Sequence, residues 1–159
     1  MEGMKKLYFE YWRDSTGHET LNIVLLGHLV IENLLVEAIK TKLKYPEEFN
    51  PSRLDFPQKV ELCVSFGILP SKKKKVYLKL NTLRNNFAHK LDYEISFDDA
   101  FRYAKEMKNA LFAFSEMGID LNRDFLQRQF KVDEILTQIL NKLADELVSY
   151  LFYNDAQKL

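Results

Sequence analysis

Residues 21–38, LNIVLLGHLVIENLLVEA, carry the strongest indication of the fold in this sequence. Their apolar side chains recur mainly at spacings of three and four, which is the period of an α-helix with one wide buried face. Thr16 and Glu19 match a capping box, so we expect this core helix to begin there and to end near Lys44, just before a proline. Gly27 lies in the middle of the helix, where glycine costs about 1 kcal/mol relative to alanine. We therefore predict a close crossing with another helix at this glycine.

The same period runs through most of the chain, and capping patterns and glycines mark where helices begin and end. Besides the core helix, the predicted helices are, in chain order, residues 5–13, a segment from the Asp55–Gln58 capping box to Gly67, one from Pro70 to at least His89, one from the Ser96–Asp99 capping box to Gly118, and a terminal helix over about 124–153. We therefore expect an all-α protein, an up-and-down bundle of about five or six helices in a single domain over residues 1–159.

The composition limits the classes of function. Hydrophobic residues make up 47% and charged residues 29% of the 159 residues, which is typical of a folded protein with one core. The 23 Lys and Arg residues balance the 23 Asp and Glu residues. Since the chain has no net charge, it has no overall field that attracts nucleic acid or an anionic membrane. Any binding of RNA has to be local.

Cysteine content and hydropathy indicate the compartment. Cys63 is the only cysteine, so an intramolecular disulfide and a cysteine-rich zinc site are excluded. Its apolar neighbours indicate a buried, unreactive thiol. The first residues lack the apolar core of a signal peptide, and no apolar run approaches the roughly 18 residues of a membrane span. We expect a cytoplasmic protein with no membrane partner.

The candidate site is the run RNNFAH, which begins at Arg84 and lies near the end of a predicted helix. At 100° per residue, Asn85 and His89 stand one turn apart on the same face, and Arg84 lies beside that face. Leu83 and Phe87 point the other way, into the expected core. The polar side chains are therefore predicted to be held on a rigid element, as a pre-organised site requires.

This run resembles the R-N-x-x-x-H motif of HEPN domains, which also lies near the end of a helix in a helical bundle. A wider stretch is similar to proteins related to the mannitol operon repressor. That stretch comprises FPQKVE at 56–61, FGIL at 66–69, LNTLRNNFAH at 80–89 and SFDD at 96–99. The resemblance covers about residues 18–117 and implies a HEPN-like bundle that acts on RNA.

The chemistry of RNA cleavage fits these residue types. RNA carries its own nucleophile, the 2′-hydroxyl, so the protein has only to move protons and to stabilise charge on the phosphoryl oxygens. His89 is the predicted acid or base, Arg84 is predicted to hold the phosphate, and Asn85 is predicted to orient either of them. Neither a metal nor a cofactor is expected. The predicted products are a 2′,3′-cyclic phosphate and a 5′-hydroxyl.

The reaction gains from both a base and an acid, whereas the motif of one chain has one histidine. The resemblance implies a homodimer in which two copies of the motif share one cleft, and symmetric dimers are the most common closed assemblies. It also implies an antitoxin or a regulatory protein as a further partner, in defence or stress. In some HEPN toxins a tyrosine two residues after the histidine is modified, whereas Tyr93 of this chain follows His89 by four residues.

Two alternatives stay open for the motif. Arg84 and His89 could simply hydrogen-bond carbonyl groups and neighbouring carboxylates at the helix end, where positive charge is favourable. The chain could also be a non-catalytic regulator that resembles the mannitol operon repressor and acts through protein contacts.

Further candidates lie outside the motif. Glu32 or Glu37 of the core helix could support Arg84, because the resemblance implies an acidic residue there. His28 lies one turn before Glu32, and we interpret it as a packed histidine with a polar neighbour rather than a metal ligand.

Lys72, Lys73, Lys74 and Lys75 form the one conspicuous basic run. A solvated surface patch is the favoured interpretation, and a path for RNA phosphates is the alternative. Because a helix rises ~1.5 Å per residue, the distance along the helix from this run to His89 is more than about 20 Å.

Overall fold

The computed structural model describes residues 20–90, 93–110, 112 and 123–156, and this part of the chain forms six α-helices and two short 3-10 helices. The α-helices are α1 (Thr20–Lys40), α2 (Phe56–Ser65), α3 (Lys74–His89), α4 (Phe97–Asn109), α5 (Arg123–Gln129) and α6 (Val132–Ala156), and the 3-10 helices are Pro51–Arg53 and Ser71–Lys73. The prediction of an all-α helical bundle is confirmed. The terminal helix predicted over about 124–153 is instead two helices, α5 and α6, because the Glu134 side chain accepts from the Lys131 backbone N–H at 2.7 Å and so begins a new helix. The predicted helix over 5–13, the capping box of Thr16 and Glu19, and the helix end at Gly118 lie outside the described residues.

The local capping signals of α2 and α4 are confirmed. The Asp55 carboxylate accepts from the Gln58 backbone N–H at 2.8 Å, and the Gln58 side chain accepts from the Asp55 N–H at 3.0 Å. Gly67 follows Phe66, the C-cap residue of α2, and has a φ of 69°, a left-handed conformation that favours glycine. At the start of α4 the Ser96 hydroxyl accepts from the Asp99 N–H at 3.1 Å. These ends are encoded by residues within one turn of each other.

Helix α1 ends at Lys40, four residues before the predicted end at Lys44. The Thr41 hydroxyl donates to the carbonyl of Ala38 at 2.7 Å. The Lys42 N–H bonds the carbonyl of Ile39, three residues back, at 3.0 Å. These bonds tighten the last turn and stop the α-helical ladder, because they use carbonyl groups that a further turn would need.

Contacts along the helices give their directions. Thr20 donates to Asp133 at one end of the α1–α6 pair, and Thr41 contacts the Tyr150 hydroxyl at the other, so these two helices run parallel. Helix α3 runs antiparallel to α6, because Lys73 just before its start pairs with Glu146, whereas Phe87 near its end lines a cleft with Asp133 at the start of α6. Helix α2 runs in the same direction as α1, because its successive residues Phe56, Lys59 and Cys63 contact His28, Glu32 and Leu35 in that order. The bundle therefore combines parallel and antiparallel neighbours.

The core lies where α1 and α6 cross, and the predicted close contact at Gly27 is confirmed. A Cβ atom on Gly27 would lie 2.6 Å from Cδ1 of Leu140, which is itself buried. Helix α6 approaches the α1 backbone closely here because glycine has no side chain to keep Leu140 away. The cost of a mid-helix glycine is thus offset by packing.

Helix α1 is also long and apolar enough to cross a membrane by length and composition alone, contrary to the expectation from the sequence. Its apolar face packs on α2, α3 and α6, however, and its fully buried side chains include Val24, Ile31 and Leu35. In this structure α1 is the central helix of the core.

Candidate functional site

The RNNFAH motif occupies the last turn and a half of α3, with the core directly behind it. Leu80 and Leu83 of the same helix are buried, and Phe87 packs against the core as predicted. The Phe87 ring also meets the ring of Tyr93 edge to face, with centroids 4.8 Å apart. These contacts fix the rotation of the helix, so the polar side chains on its other face are held in place.

The motif side chains are open to solvent rather than sealed in the core. Arg84 and Asn85 are half-buried, and His89 is exposed at the last position of the helix. The Arg84 guanidinium Nη1 donates to the Asn85 side-chain oxygen at 3.1 Å. The structure therefore brings the guanidinium onto the face that Asn85 shares with His89, one turn further along.

The helix-end alternative gains no support from these contacts. Among the described residues, neither the Arg84 guanidinium nor the His89 imidazole donates to a backbone carbonyl group. The backbone N–H of Lys90 closes the helix by bonding the carbonyl of Asn86 at 3.0 Å. The guanidinium and the imidazole are thus accessible to a ligand.

A buried polar cluster extends the motif toward α1, and the sequence analysis missed part of it. His28 is only 7% exposed, stacks on the ring of Phe56, and has its Nε2 atom 3.2 Å from the side-chain oxygen of Asn81. Asn81, Asn85 and His89 follow one another at spacings of four along α3. That polar stripe was visible in the sequence, but the histidine that anchors its inner end comes from another helix.

Burial lowers the pKa of His28 below its ordinary value, because the charged imidazolium loses its hydration. The hydrogen bond with Asn81 and the carboxylate of Glu32 raise that pKa in part, and the positive charges of Arg84 and Lys59 lower it further. The prediction of a packed histidine beside a polar neighbour is confirmed. Among the described residues, no cluster of three His, Cys, Asp or Glu side chains could hold a metal ion.

Glu32 and Glu37, the acidic residues predicted to support Arg84, pair with lysines instead. The Glu32 carboxylate accepts from the buried Lys59 amine at 2.6 Å, and Glu37 pairs with Lys40 at 2.7 Å. Lys59 also donates to the carbonyl of Leu54. Because the lysine occupies the Glu32 carboxylate, the structure does not join Arg84 with either glutamate.

The four lysines at 72–75 do not share one surface. Both interpretations of the run, a solvated patch and a path for RNA phosphates, are therefore wrong for the run as a whole. Lys73 is buried, with its amine 2.7 Å from Glu146 and 4.4 Å from the ring centroid of Phe112. Lys74 is half-buried and pairs with Glu61 at 3.0 Å. Lys72 and Lys75 are exposed. The 3-10 turn that precedes α3 points Lys73 inward, so the four lysines cannot form a continuous path for phosphates.

Cys63 is buried, as predicted, and burial raises the pKa of its thiol to about 12. The thiol contacts the carbonyl of Leu35 at 3.9 Å. A thiolate is therefore not available for chemistry at neutral pH.

A cleft of about 540 Å³ opens at the same end of α3 as the motif. Its walls include Phe87 of α3, Lys90 at the C-terminal cap of α3, Tyr93 and Glu94 beyond the cap, and Lys131 before α6. Arg84, Asn85 and His89 do not line it, because they lie on the other face of α3. The end of α3 thus separates an exposed polar motif from an aromatic cleft.

No protein-family model matches the chain, and neither a curated protein nor a solved structure matches it. The resemblance to HEPN domains therefore depends on the residues of this chain alone.

Proposed function

We propose that this chain is a metal-independent endoribonuclease of the HEPN type that acts as a homodimer. The observation that carries the proposal is the accessible motif at the end of α3, where Arg84 bonds Asn85 and His89 follows one turn later, exposed to solvent. These are the groups that phosphodiester cleavage by a 2′-hydroxyl needs, on a helix that the core holds still.

The reaction moves two protons and exchanges one bond. A histidine removes the proton of the 2′-hydroxyl, whose oxygen attacks phosphorus, and the bond from phosphorus to the 5′-oxygen breaks. A second group protonates that leaving oxygen. Arg84 holds the non-bridging oxygens as a planar fork and stabilises their charge in the transition state. Asn85 is a positioning residue, because its bond with Arg84 fixes the guanidinium.

The need for a second proton-transfer group supports the dimer. His28 is the only other histidine among the described residues, and it is buried against Phe56 and Asn81. It cannot reach a substrate at the surface. A second copy of His89, supplied by a symmetric partner, completes the acid and base pair.

The direct test incubates the purified protein with RNA in EDTA, beside the variants Arg84→Ala and His89→Ala. His89→Ala should lower the rate of cleavage by about 10²–10⁴-fold, which is the usual contribution of general acid–base catalysis. Arg84→Ala should lower it by about 10²–10³-fold, as the loss of a donor to the transition-state oxyanion does. Lys75→Ala is the matched control, since Lys75 is an exposed cation of the same helix away from the motif. Cleavage that the motif variants leave unchanged, or no cleavage of any RNA tried, would contradict the proposal.

One observation favours the alternative function, a non-catalytic regulator that binds another protein. Leu29 is 54% exposed on α1, and the neighbouring Leu25, Leu26 and Val30 are only partly buried. Exposed apolar side chains grouped in this way are typical of protein contacts. Leu29→Glu would then abolish the binding of a regulatory partner, while the motif variants would leave that binding unchanged.

A further inference from the structure

The cleft beside α3 has an aromatic wall. The rings of Phe87 and Tyr93 meet edge to face at an interplanar angle of 88°. The Lys90 amine lies over the Tyr93 ring, 5.6 Å from its centroid, at the end of a long side chain that can leave the ring to reach a phosphate. Tyr93 is half-buried rather than sealed, and it is among the residues that line the cleft. An aromatic ring held in this way is a surface on which any of the nucleobases can stack, so the stacking does not depend on the RNA sequence.

The charged groups around that wall are arranged for a nucleotide. Lys90 and Lys131 are both exposed and line the cleft from the end of α3 and the start of α6. Of the two carboxylates in the lining, Asp133 already accepts from the hydroxyl of Thr20. Glu94 is exposed and has no ion pair or hydrogen bond among the described residues. The cleft therefore offers cations for phosphate oxygens and one carboxylate that can accept from the amino group of a base.

We propose that this cleft binds one nucleotide of a single-stranded RNA, with its base on Tyr93, its phosphate on Lys90 and Lys131, and its amino edge on Glu94. The inference deepens the proposed function, on which it rests, by naming a subsite for the substrate. The cleft and His89 lie on opposite faces of the end of α3, about one helix diameter or ~10 Å apart. A single strand crosses that distance within a few nucleotides.

The Glu94 carboxylate gives the subsite a preference among the four nucleobases. Guanine, adenine and cytosine each carry an exocyclic amino group that a carboxylate can accept from, whereas uracil carries none. The cleft should therefore bind GMP, AMP and CMP more tightly than UMP. Glu94→Gln should remove much of that difference, because an amide is a weaker acceptor and adds a donor.

The experiment measures the binding of the four nucleoside monophosphates by calorimetry in a His89→Ala background, where no cleavage is expected. Tyr93→Leu should weaken binding by about tenfold, as the loss of one stacked base does. Lys90→Ala, an exposed change that leaves the core intact, should weaken it as well. Lys75→Ala, at the far end of α3, should bind as the parent protein does.

The outcomes separate this inference from the proposed function. Binding that responds to Tyr93, Lys90 and Glu94 supports the subsite, even if no RNA is ever cleaved. Binding that is absent, or that these variants leave unchanged, overturns the subsite, and the effect of Arg84→Ala on cleavage then still decides the nuclease separately. Because Lys90→Ala is a surface change, a misfolded Tyr93→Leu variant would not leave the question open.

Discussion

At the residue scale, neighbours in sequence have opposite environments that no local pattern distinguishes. Lys73 and Lys74 are identical and adjacent, yet one is buried on Glu146 and the other pairs with the more exposed Glu61. The sequence shows the charge of the run but not the 3-10 turn that aims Lys73 at α6. Its partner lies 73 residues further along the chain, beyond the reach of any pattern within a helix.

The two lysine pairs predict different effects on stability. Glu146→Gln leaves the buried Lys73 amine without its carboxylate and should lower the free energy of unfolding by about 2 kcal/mol, as the loss of a charged hydrogen bond does. Glu61→Gln removes an exposed pair and should cost less than about 1 kcal/mol. Urea denaturation of both variants measures the difference. Equal costs would show that the Lys73 pair is as solvated as its neighbour.

His28 gives a prediction on pH. Burial lowers its pKa in the folded state below that of the unfolded chain, so the unfolded chain binds more protons between the two values. Stability should therefore be level above about pH 6.5, the ordinary value of histidine, and should fall as the pH drops below it. His28→Gln keeps a donor for Asn81 and should flatten this fall in urea midpoints from pH 7.5 to 5.5. An equally steep fall in the variant would exclude His28 as its cause.

At the element scale, helix identity and caps could be predicted, because they depend on residues within a turn or two. The Asp55–Gln58 capping box and the close crossing at Gly27 are both confirmed on that basis. The predicted end of α1 was wrong by four residues. The Thr41 hydroxyl bonds a helix carbonyl in the structure, and the sequence does not show which way that hydroxyl points. The direction of α2 also depends on the path of a long loop, which carries no periodic signal.

The crossing of α1 and α6 predicts the effect of a larger residue at Gly27. Gly27→Val should lower the free energy of unfolding by about 1–3 kcal/mol, because the added carbons overlap the buried side chain of Leu140. Leu140→Ala should cost less in the Gly27→Val background than in the parent, since it makes room for the added side chain. A double-variant cycle in urea measures this coupling. If Gly27→Val left stability unchanged, the crossing would be looser than the structure has it.

At the scale of the whole molecule, the bundle places one short motif at a surface. The parallel pair α1 and α6 forms the core, α3 packs on α1 and α2, and the end of α3 presents Arg84, Asn85 and His89 on one side and the aromatic cleft on the other. The sequence predicted the motif and the face it lies on. It did not predict the cleft, because its walls come from the end of α3, the segment after it and the starts of α1 and α6.

The most direct measurement of the proposed function uses two RNA oligonucleotides that differ by one oxygen atom. The first is an RNA that the protein cleaves in EDTA, and the second has a 2′-deoxy sugar at the cleaved position. Because the 2′-hydroxyl is the proposed nucleophile, the first should yield a 2′,3′-cyclic phosphate at a rate that depends on Arg84 and His89, and the second should stay intact at that bond. Cleavage of both oligonucleotides at the same rate would contradict the account.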